Sequence, residues 1–264
     1  MFGNLIGKTT PTGTDWGEQM LNTVASQSIR HLFSQSEAVE VFVRCQPSSK
    51  LLQGSIDSFK MTGRRLVIRR QFPVEEMSFE TDAVALDFGS ILSGHIRLKQ
   101  PTQAVAEVTL TEAGINQAFQ AELVTKRLLN LESPALEAIS DGQPVSFTEV
   151  EVRLLPQNQV QIYAKAELAN HGIVPLSLTV TLAIERRRRI VFKDPQIHLQ
   201  EIPDTLKEVS EALSKALCEI LDNMVDLDRF DLDGVMLRLN RLETQGDKLL
   251  FSGYAQIERF PRTP

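Results

Sequence analysis

Alternation of apolar and polar residues with a period of two is the strongest pattern in this sequence. Between residues 160 and 168 the apolar side chains fall at even positions, and residues 176–184 repeat the pattern. Successive side chains of a β-strand point to opposite faces, so the pattern predicts strands with one buried face and one wet face. Such strands, joined by the short connections seen here, pair as antiparallel meanders. The sequence therefore predicts antiparallel sheet as a main element of the fold.

Three other segments show the three- and four-residue spacing of apolar side chains that is typical of an amphipathic helix. The clearest begins with Thr205 and Glu208, which have the spacing of a capping box, and it continues to Met224. The other two helices are predicted over residues 15–34 and 111–129. The predicted order of elements is helix, strands, helix, strands, helix and two final strands.

These elements predict an α+β fold, in which a strongly curved antiparallel β-sheet wraps around the long amphipathic helices as a roll. Residues 1–14 are predicted to form a flexible N-terminus, and residues 15–264 a single domain. Each half of this domain is a strand meander followed by a helix. Residues 15–130 and 145–264 are therefore candidate pseudo-halves, although no residue-level repeat supports the duplication.

Charge, cysteine content and hydropathy exclude several classes of protein. A net charge of −6 over 264 residues disfavours a general nucleic-acid binder. Two cysteines, Cys45 and Cys218, are too few for a disulfide framework and indicate a reducing compartment. Residues 1–8 lack the pattern of a secretory signal, and the uncharged segment 168–184 holds too many polar groups to span a membrane. We expect a cytoplasmic protein whose membrane contact is peripheral.

The sequence contains no recognisable catalytic or metal-binding motif. The four histidines, His31, His95, His171 and His198, lie far apart and have no partner at a metal-ligand spacing. No glycine-rich phosphate loop or nucleophile elbow is found either. We therefore predict no catalytic residue, no metal and no cofactor. An enzyme assembled from scattered side chains stays as an alternative, which a cluster of His95 or His198 with a serine and an acid would support.

Two clusters of arginine stand out against the acidic composition. Because adjacent side chains of a strand point to opposite faces, four consecutive arginines cannot remain in a half-buried strand, so that strand must leave the core near Glu185. We predict a surface for acidic membrane head groups, and the alternative is a solvated strand end paired with nearby acids. Aromatic residues are not interleaved with the arginines, so no nucleic-acid partner is predicted. The predicted membrane-surface residues are Arg64, Arg65, Arg69, Arg70, Arg186, Arg187, Arg188 and Arg189.

Several segments resemble the LmeA-like family of bacterial phospholipid-binding proteins, namely Arg44–Phe59, Leu98–Ala104, Thr111–Asn116 and Phe251–Ala255. The resemblance covers most of residues 35–260, so the single predicted domain is LmeA-like. It implies a tubular lipid-binding architecture, in which a curved antiparallel sheet wraps a long helix and leaves an elongated apolar cavity. It implies no catalytic residue. The family's named member is exported, and this sequence departs from it in lacking a recognisable signal.

The sequence thus predicts non-enzymatic binding, and possible transfer, of phospholipid or another acyl-chain ligand at a membrane surface. Moving a chain of about sixteen carbons into water costs on the order of 12 kcal/mol, so a carrier needs an apolar channel. Apolar periodicity does not distinguish a channel from a filled core. A closed-core scaffold or protein-interaction module without a ligand is therefore the alternative, and the lipid and the oligomeric state are left open. The predicted lipid-binding residues are Leu178, Val180, Leu182, Leu206, Leu213, Leu217, Ile220 and Met224.

Overall fold

The structure is a computed structural model in which strands outnumber helices. It describes residues 22–23, 25–27, 29–31, 33–47, 49–68, 70–87, 97–200, 202–224 and 235–258. The strands are β1 (Ala38–Arg44), β2 (Ser55–Ile56), β3 (Ser58–Ile68), β4 (Phe72–Thr81), β5 (Val84–Ala85), β6 (Thr102–Thr111), β7 (Ser146–Leu154), β8 (Gln159–Leu168), β9 (Gly172–Glu185), β10 (Arg189–Ile197), β11 (Val235–Gln245) and β12 (Lys248–Ile257). The α-helices are α1 (Ser49–Leu52), α2 (Glu112–Phe119), α3 (Glu122–Thr125), α4 (Pro134–Ser140) and α5 (Lys207–Met224).

The strands form two principal antiparallel sheets. The larger sheet has six strands in the order β1-β3-β4-β6-β12-β11, and the smaller sheet has four in the order β10-β9-β8-β7. Strands β2 and β5 form a separate two-stranded pair. The tight turn between β11 and β12 contains Gly246, whose φ of +61° lies in the left-handed region that glycine adopts without strain.

The register of the larger sheet sorts its residues into an inner and an outer face. On the inner face, Val41 pairs with Met61, which in turn pairs with Phe79. One residue along, Lys60 pairs with Glu80 on the outer face. Apolar side chains thus gather on one side of the sheet and charged side chains on the other, as the two-residue alternation requires.

Side chains and a hairpin cover the two edges of this sheet. At edge strand β1, the Val41 amide donates to Ser26 Oγ at 3.1 Å, and the Val43 amide donates to Asn22 Oδ1 at 2.6 Å. At the opposite edge, the Leu239 amide of β11 donates at 2.6 Å to the carbonyl of Arg187, in the turn between β9 and β10. These bonds satisfy edge amides that would otherwise be free to pair with another chain.

The main hydrophobic core lies between helix α5 and the smaller sheet. Helix α5 packs on β9 and β10, and Leu178, Leu213 and Leu217 have no exposed surface in this interface. Leu242 and Leu249 of the larger sheet belong to the same cluster. The two sheets therefore share this core. A second cluster, which includes Val41, Val43, Cys45 and Met61, lies at the other end of the larger sheet.

The predicted roll, with a sheet wrapped around long helices, is wrong. The fold is mostly antiparallel sheet, and among the helices whose bounds are given above α5 is the single one with more than eight residues. The helix predicted over 111–129 ends at Phe119, and Ala121 is extended before the short helix α3 begins. Strand β10 was not predicted from the sequence, because a β-bulge between Lys193 and Gln196 interrupts its alternation. The predicted N-terminal segment 1–14 lies outside the described residues, and the pseudo-halves stay a prediction.

Candidate functional site

The eight residues predicted as lipid contacts lie together in or against the main core. Five are buried, with exposed fractions between 0% and 6%: Leu178, Val180, Leu182, Leu213 and Leu217. Three are half-buried: Leu206, Ile220 and Met224. Helix α5, the 3-10 turn that precedes it and strand β9 therefore bring the set together, and the buried members pack against one another. Their assignment as lipid contacts stays a prediction.

Polar contacts fix helix α5 on the smaller sheet. The Ser210 hydroxyl donates to the Pro175 carbonyl at 2.8 Å, and the Phe192 amide donates to Asp222 Oδ1 at 2.7 Å. Burial raises the pKa of the Cys218 thiol to about 11, with smaller contributions from the charges of Asp222 and Glu219. This thiol is neutral at physiological pH. The interface is thus held by hydrogen bonds as well as by apolar contacts.

The middle of the larger sheet's inner face is covered less completely. Met77, Val108 and Phe251 form one row across three adjacent strands, and Phe79 and Ala106 begin the next row. All of these side chains are half-buried. We name this half-buried apolar region the inner strip, and it consists of Met77, Phe79, Ala106, Val108, Leu239 and Phe251.

Small residues lie along the centre of the inner strip. Ala106 pairs with Gly253, and two residues further on Ala104 pairs with Ala255. Larger side chains flank the small ones, with Phe79 on β4 and Leu239 on β11. In the row of Ala106 and Gly253 the face is therefore lower on β6 and β12 than on either side, which gives a shallow apolar trough between Phe79 and Leu239.

Gly253 has a separate structural cause. A Cβ atom added there would lie 2.1 Å from the carbonyl oxygen of Arg238. Strand β11 approaches closely at this point because its register shifts between Leu239 and Arg241. Only glycine fits beside this bulge.

The sequence did not reveal the inner strip. The alternation along β6 and β12 predicted an apolar face for each strand. However, the two strands are far apart in the chain, and their pairing places Ala106 beside Gly253. A pattern read along one strand cannot show which residues are neighbours across the sheet.

The first arginine cluster lies around the hairpin of β3 and β4. Arg64 is on the outer face opposite Glu76, and Arg65 forms an ion pair with Glu37 at 2.9 Å. The Arg70 amide donates to Ser34 Oγ at 2.8 Å. Arg69 lies outside the described residues.

The second arginine cluster lies at the turn between β9 and β10. Strand β9 ends at Glu185, so the prediction that the chain leaves the core near this residue is confirmed. Arg186 and Arg187 are exposed, whereas Arg188 and Arg189 are half-buried. Arg189 contacts the Glu185 carboxylate at 3.6 Å and donates to the Asp222 carbonyl at 3.4 Å. The two clusters therefore belong to different hairpins.

Two grooves on the outer face of the larger sheet are open and polar. One, of about 460 Å³, is lined by residues that include Glu40, Arg64 and Glu76. The other, of about 450 Å³, is lined by residues that include Lys60 and Glu80. Neither groove is suited to an acyl chain, because its walls carry charged side chains and burying an unpaired charge against hydrocarbon is costly.

In the described part of the chain, no group of three or more histidine, cysteine or acidic side chains could hold a metal ion. His198 Nε2 lies 2.8 Å from Thr179 Oγ1, and His95 is outside the described ranges. The enzyme alternative therefore gains no support. None of the helices in those ranges combines the length and the apolar character needed to cross a bilayer.

An antiparallel two-sheet protein with a half-covered apolar face is a candidate binding protein for a hydrophobic ligand. Residues 12–253 match the model of the LmeA-like phospholipid-binding family, so this chain belongs to that family and the resemblance predicted from the sequence is confirmed. Membership supports lipid binding as the general function, and the family is not an enzymatic one.

The remaining comparisons add little. No curated protein matches the chain. Among solved structures, it is similar to the crystal structure of P47 of Clostridium botulinum E1, with 7% sequence identity over 89% of this chain and 96% of that chain, and a TM-score of 0.23. A likeness this slight supports no argument about fold or function.

Proposed function

We propose that this protein binds a phospholipid, or another ligand with acyl chains, without catalysis, and that an acyl chain lies along the inner strip. Family membership supports the ligand class. The observation that carries the placement is the run of half-buried apolar side chains, low in the middle, on the inner face of the larger sheet.

The dimensions and energetics of the inner strip suit such a ligand. From Phe79 on β4 to Leu239 on β11 the strip crosses four adjacent strands spaced about 4.8 Å apart, a distance of about 14 Å that accommodates a large part of an extended acyl chain. Each methylene that leaves water contributes about 0.8 kcal/mol. The half-exposed side chains of the strip would lose water contact at the same time, so binding removes apolar surface from both partners.

The residues predicted from the sequence have a place in this proposal. Ile220 and Met224 are half-buried near the C-terminal end of α5, and we propose that they contact the ligand where the main core meets the inner strip. Leu206 is the third half-buried member. The five buried members lie in the main core, where they would pack beneath this end of the site without contacting the ligand.

We further propose that the protein docks peripherally on an acidic membrane. Exposed arginines in two hairpins supply positive charge, and each cation close to an acidic leaflet contributes about 1 kcal/mol. Lipid transfer, the cytoplasmic location and the lack of a nucleic-acid partner stay predictions.

A pair of substitutions on one strand tests the lipid site. Ala106→Phe would place a large side chain in the trough, whereas Val105→Phe adds a similar group on the outer face, where Val105 is 49% exposed. Wild-type protein, purified gently and extracted for mass spectrometry, is expected to carry lipid or to acquire it from labelled liposomes. We expect Ala106→Phe to lower the bound lipid by roughly tenfold or more, because filled space excludes the chain.

Val105→Phe is expected to keep wild-type lipid binding, and urea unfolding checks that both variants fold. The proposal fails if wild-type protein neither carries nor acquires lipid. It also fails, as to the site, if the two folded variants bind lipid equally.

The complete burial of Leu178, Leu213 and Leu217 favours a second candidate, a scaffold or protein-interaction module with a closed core. In that case the purified wild-type protein would carry no lipid. Ala106→Phe would then change neither the stability of the protein nor its content of bound lipid. The liposome experiment therefore distinguishes the two functions.

A further inference from the structure

The small side chains at the centre of the inner face continue for one more row beyond the inner strip. Ala106 and Gly253 form the low middle of the trough, and two residues further on Ala104 pairs with Ala255. These last two alanines are almost completely buried, with exposed fractions of 2% and 1%, whereas Ala106 is half-buried. A methyl group is too short to bury itself, so another side chain must lie directly on this second row.

Leu98 provides this cover. The two alanines of the second row and Ile257 form a small buried cluster. Among the residues that the structure describes, the half-buried apolar side chains packed against this cluster are those of Phe79, Leu98 and Leu237. Two of the three belong to strands β4 and β11 of the same sheet. Leu98 comes from outside the sheet, so it is the one that lies on top of the alanines.

The backbone around Leu98 is held by a small sheet. Leu98 forms an antiparallel bridge with Leu86, and the Leu86 amide donates to the Gly54 carbonyl at 2.5 Å. Beside this bridge, β5 pairs with β2, and the buried side chains of Ile56 and Val84 fix the pair in the second cluster. Leu98 therefore stands on a segment that is hydrogen-bonded to its neighbours and packed against the larger sheet.

We propose that Leu98 is the end wall of the lipid site and limits the length of the acyl chain that the protein holds. The inference rests on the proposed function, in which the chain lies on the inner strip. From Ala106 to Ala104 strand β6 advances by about 7 Å, and a longer chain would continue there over small side chains. Leu98 occupies this space. A chain that reaches it must leave its end in water or displace a bonded segment.

A preference for chain length follows from the energetics of the methylene group. Each methylene that the protein shields from water raises the affinity by about fourfold, so affinity increases with chain length as long as the apolar surface continues. Beyond the end wall, further methylenes gain nothing. Removal of the outer carbons of Leu98 would open the row of Ala104 and Ala255 to the ligand. Leu98 is thus a specificity-determining residue of the proposed site.

The test compares Leu98→Ala with a matched control, Leu86→Ala. Leu86 is the bridge partner of Leu98 and is also a half-buried leucine, but it packs against the second cluster and not against the alanine row. Each protein is incubated with vesicles that contain equal parts of phosphatidylglycerols whose acyl chains increase by two carbons from fourteen to twenty. Bound lipid is extracted and quantified by mass spectrometry, and urea unfolding checks that each variant folds.

We expect Leu86→Ala to bind each chain length within about twofold of the wild type. Leu98→Ala should raise the ratio of the longest to the sixteen-carbon chains by about tenfold or more, because two or three further methylenes find apolar contact. Leu98→Phe enlarges the wall and should shift the bound lipid towards shorter chains. The two substitutions act in opposite directions, so the test remains decisive if one of these variants does not fold.

The inference is overturned if the folded Leu98 variants bind the same distribution of chain lengths as the wild type. It is equally overturned if Leu86→Ala shifts this distribution as much as Leu98→Ala does. In both results lipid is still bound, so the proposed function stands. If wild-type protein binds no lipid, the proposed function fails and the end wall fails with it. The amount of bound lipid and its chain-length distribution therefore distinguish the two failures.

Discussion

Two apolar faces of this molecule have the same alternating sequence pattern and very different surroundings. Between α5 and β9, residues such as Leu178 and Leu217 have no exposed surface, whereas Val108 and Leu239 on the larger sheet are half-buried. The difference shows that alternation fixes which side of a strand is apolar. What covers that side depends on the elements that pack against it.

Simple dimensions explain why one face is sealed and the other is open. Helix α5 has 18 residues, so it is about 27 Å long and about 10 Å wide, and it covers the two strands on which it packs. The larger sheet has six strands spaced about 4.8 Å apart, which is about 24 Å across. Helix α5 is too narrow to cover both sheets, and the inner strip is where the larger sheet's cover is incomplete.

The largest expected effect comes from truncating the same residue type on each face. Leu217→Ala should lower the free energy of unfolding by about 3–5 kcal/mol, because it leaves a cavity in a filled core. Leu239→Ala should cost only about 1–2 kcal/mol, since its side chain is partly in water already. Urea denaturation measures both. Equal costs would contradict the distinction between the two faces.

A smaller loss is expected where the larger sheet is tightest. Gly253→Ala should lower the free energy of unfolding by about 2–3 kcal/mol, because the new Cβ would meet the Arg238 carbonyl oxygen at 2.1 Å. Gly172 is the control, since a Cβ there meets nothing within 4 Å and only its φ of +70° opposes alanine. Its replacement should cost about 1 kcal/mol. An unaffected Gly253→Ala protein would show that the bulge is not closely packed.

Two serines one turn apart on α5 probe how completely the main core is sealed. Ser210→Ala should cost about 1–2 kcal/mol, because it removes the donor to the carbonyl of the half-buried Pro175. The buried Ser214 hydroxyl has no hydrogen-bond partner in the described part of the chain. Ser214→Ala should therefore be neutral or slightly stabilising. Urea denaturation measures both free energies of unfolding. An equal cost for Ser214→Ala and Ser210→Ala would contradict this distinction between the two serines.

The smallest effect is a pH dependence that arises in the main core. Burial raises the pKa of Cys218 from about 9 to about 11, so folding favours the neutral thiol. The stabilisation relative to the thiolate is present below the unfolded pKa and is lost as the pH rises from about 9 towards 11. Between pH 8 and pH 10, wild-type protein should lose about 1 kcal/mol more than Cys218→Ala. If wild-type protein and Cys218→Ala lose the same free energy of unfolding between these pH values, the result would show that water reaches this thiol.

Local features of the fold could be predicted from the sequence. Strand β8, helix α5 and the turn after Glu185 follow from alternation, helical spacing and the consecutive arginines. Strand β10 could not be predicted, because its bulge breaks the alternation. The wrapped roll was predicted wrongly, since periodicity indicates an apolar face and carries no information on how far one helix covers it.

The candidate site was predicted only in part. The lipid class and the arginines of the β9–β10 turn were recognisable along the chain. The inner strip was not, because Ala106 meets Gly253 only once distant strands are paired. This pairing depends on strand order, which no local pattern encodes.

The most direct test of the account is a map of where the acyl chain lies. Wild-type protein would be loaded from liposomes with a phospholipid that carries a photoactivatable group in its acyl chain, irradiated, digested and sequenced by mass spectrometry. The account predicts cross-links to inner-strip residues, foremost Met77, Val108 and Phe251. Cross-links confined to outer-face residues such as Val105, or no cross-link above a lipid-free control, would contradict it.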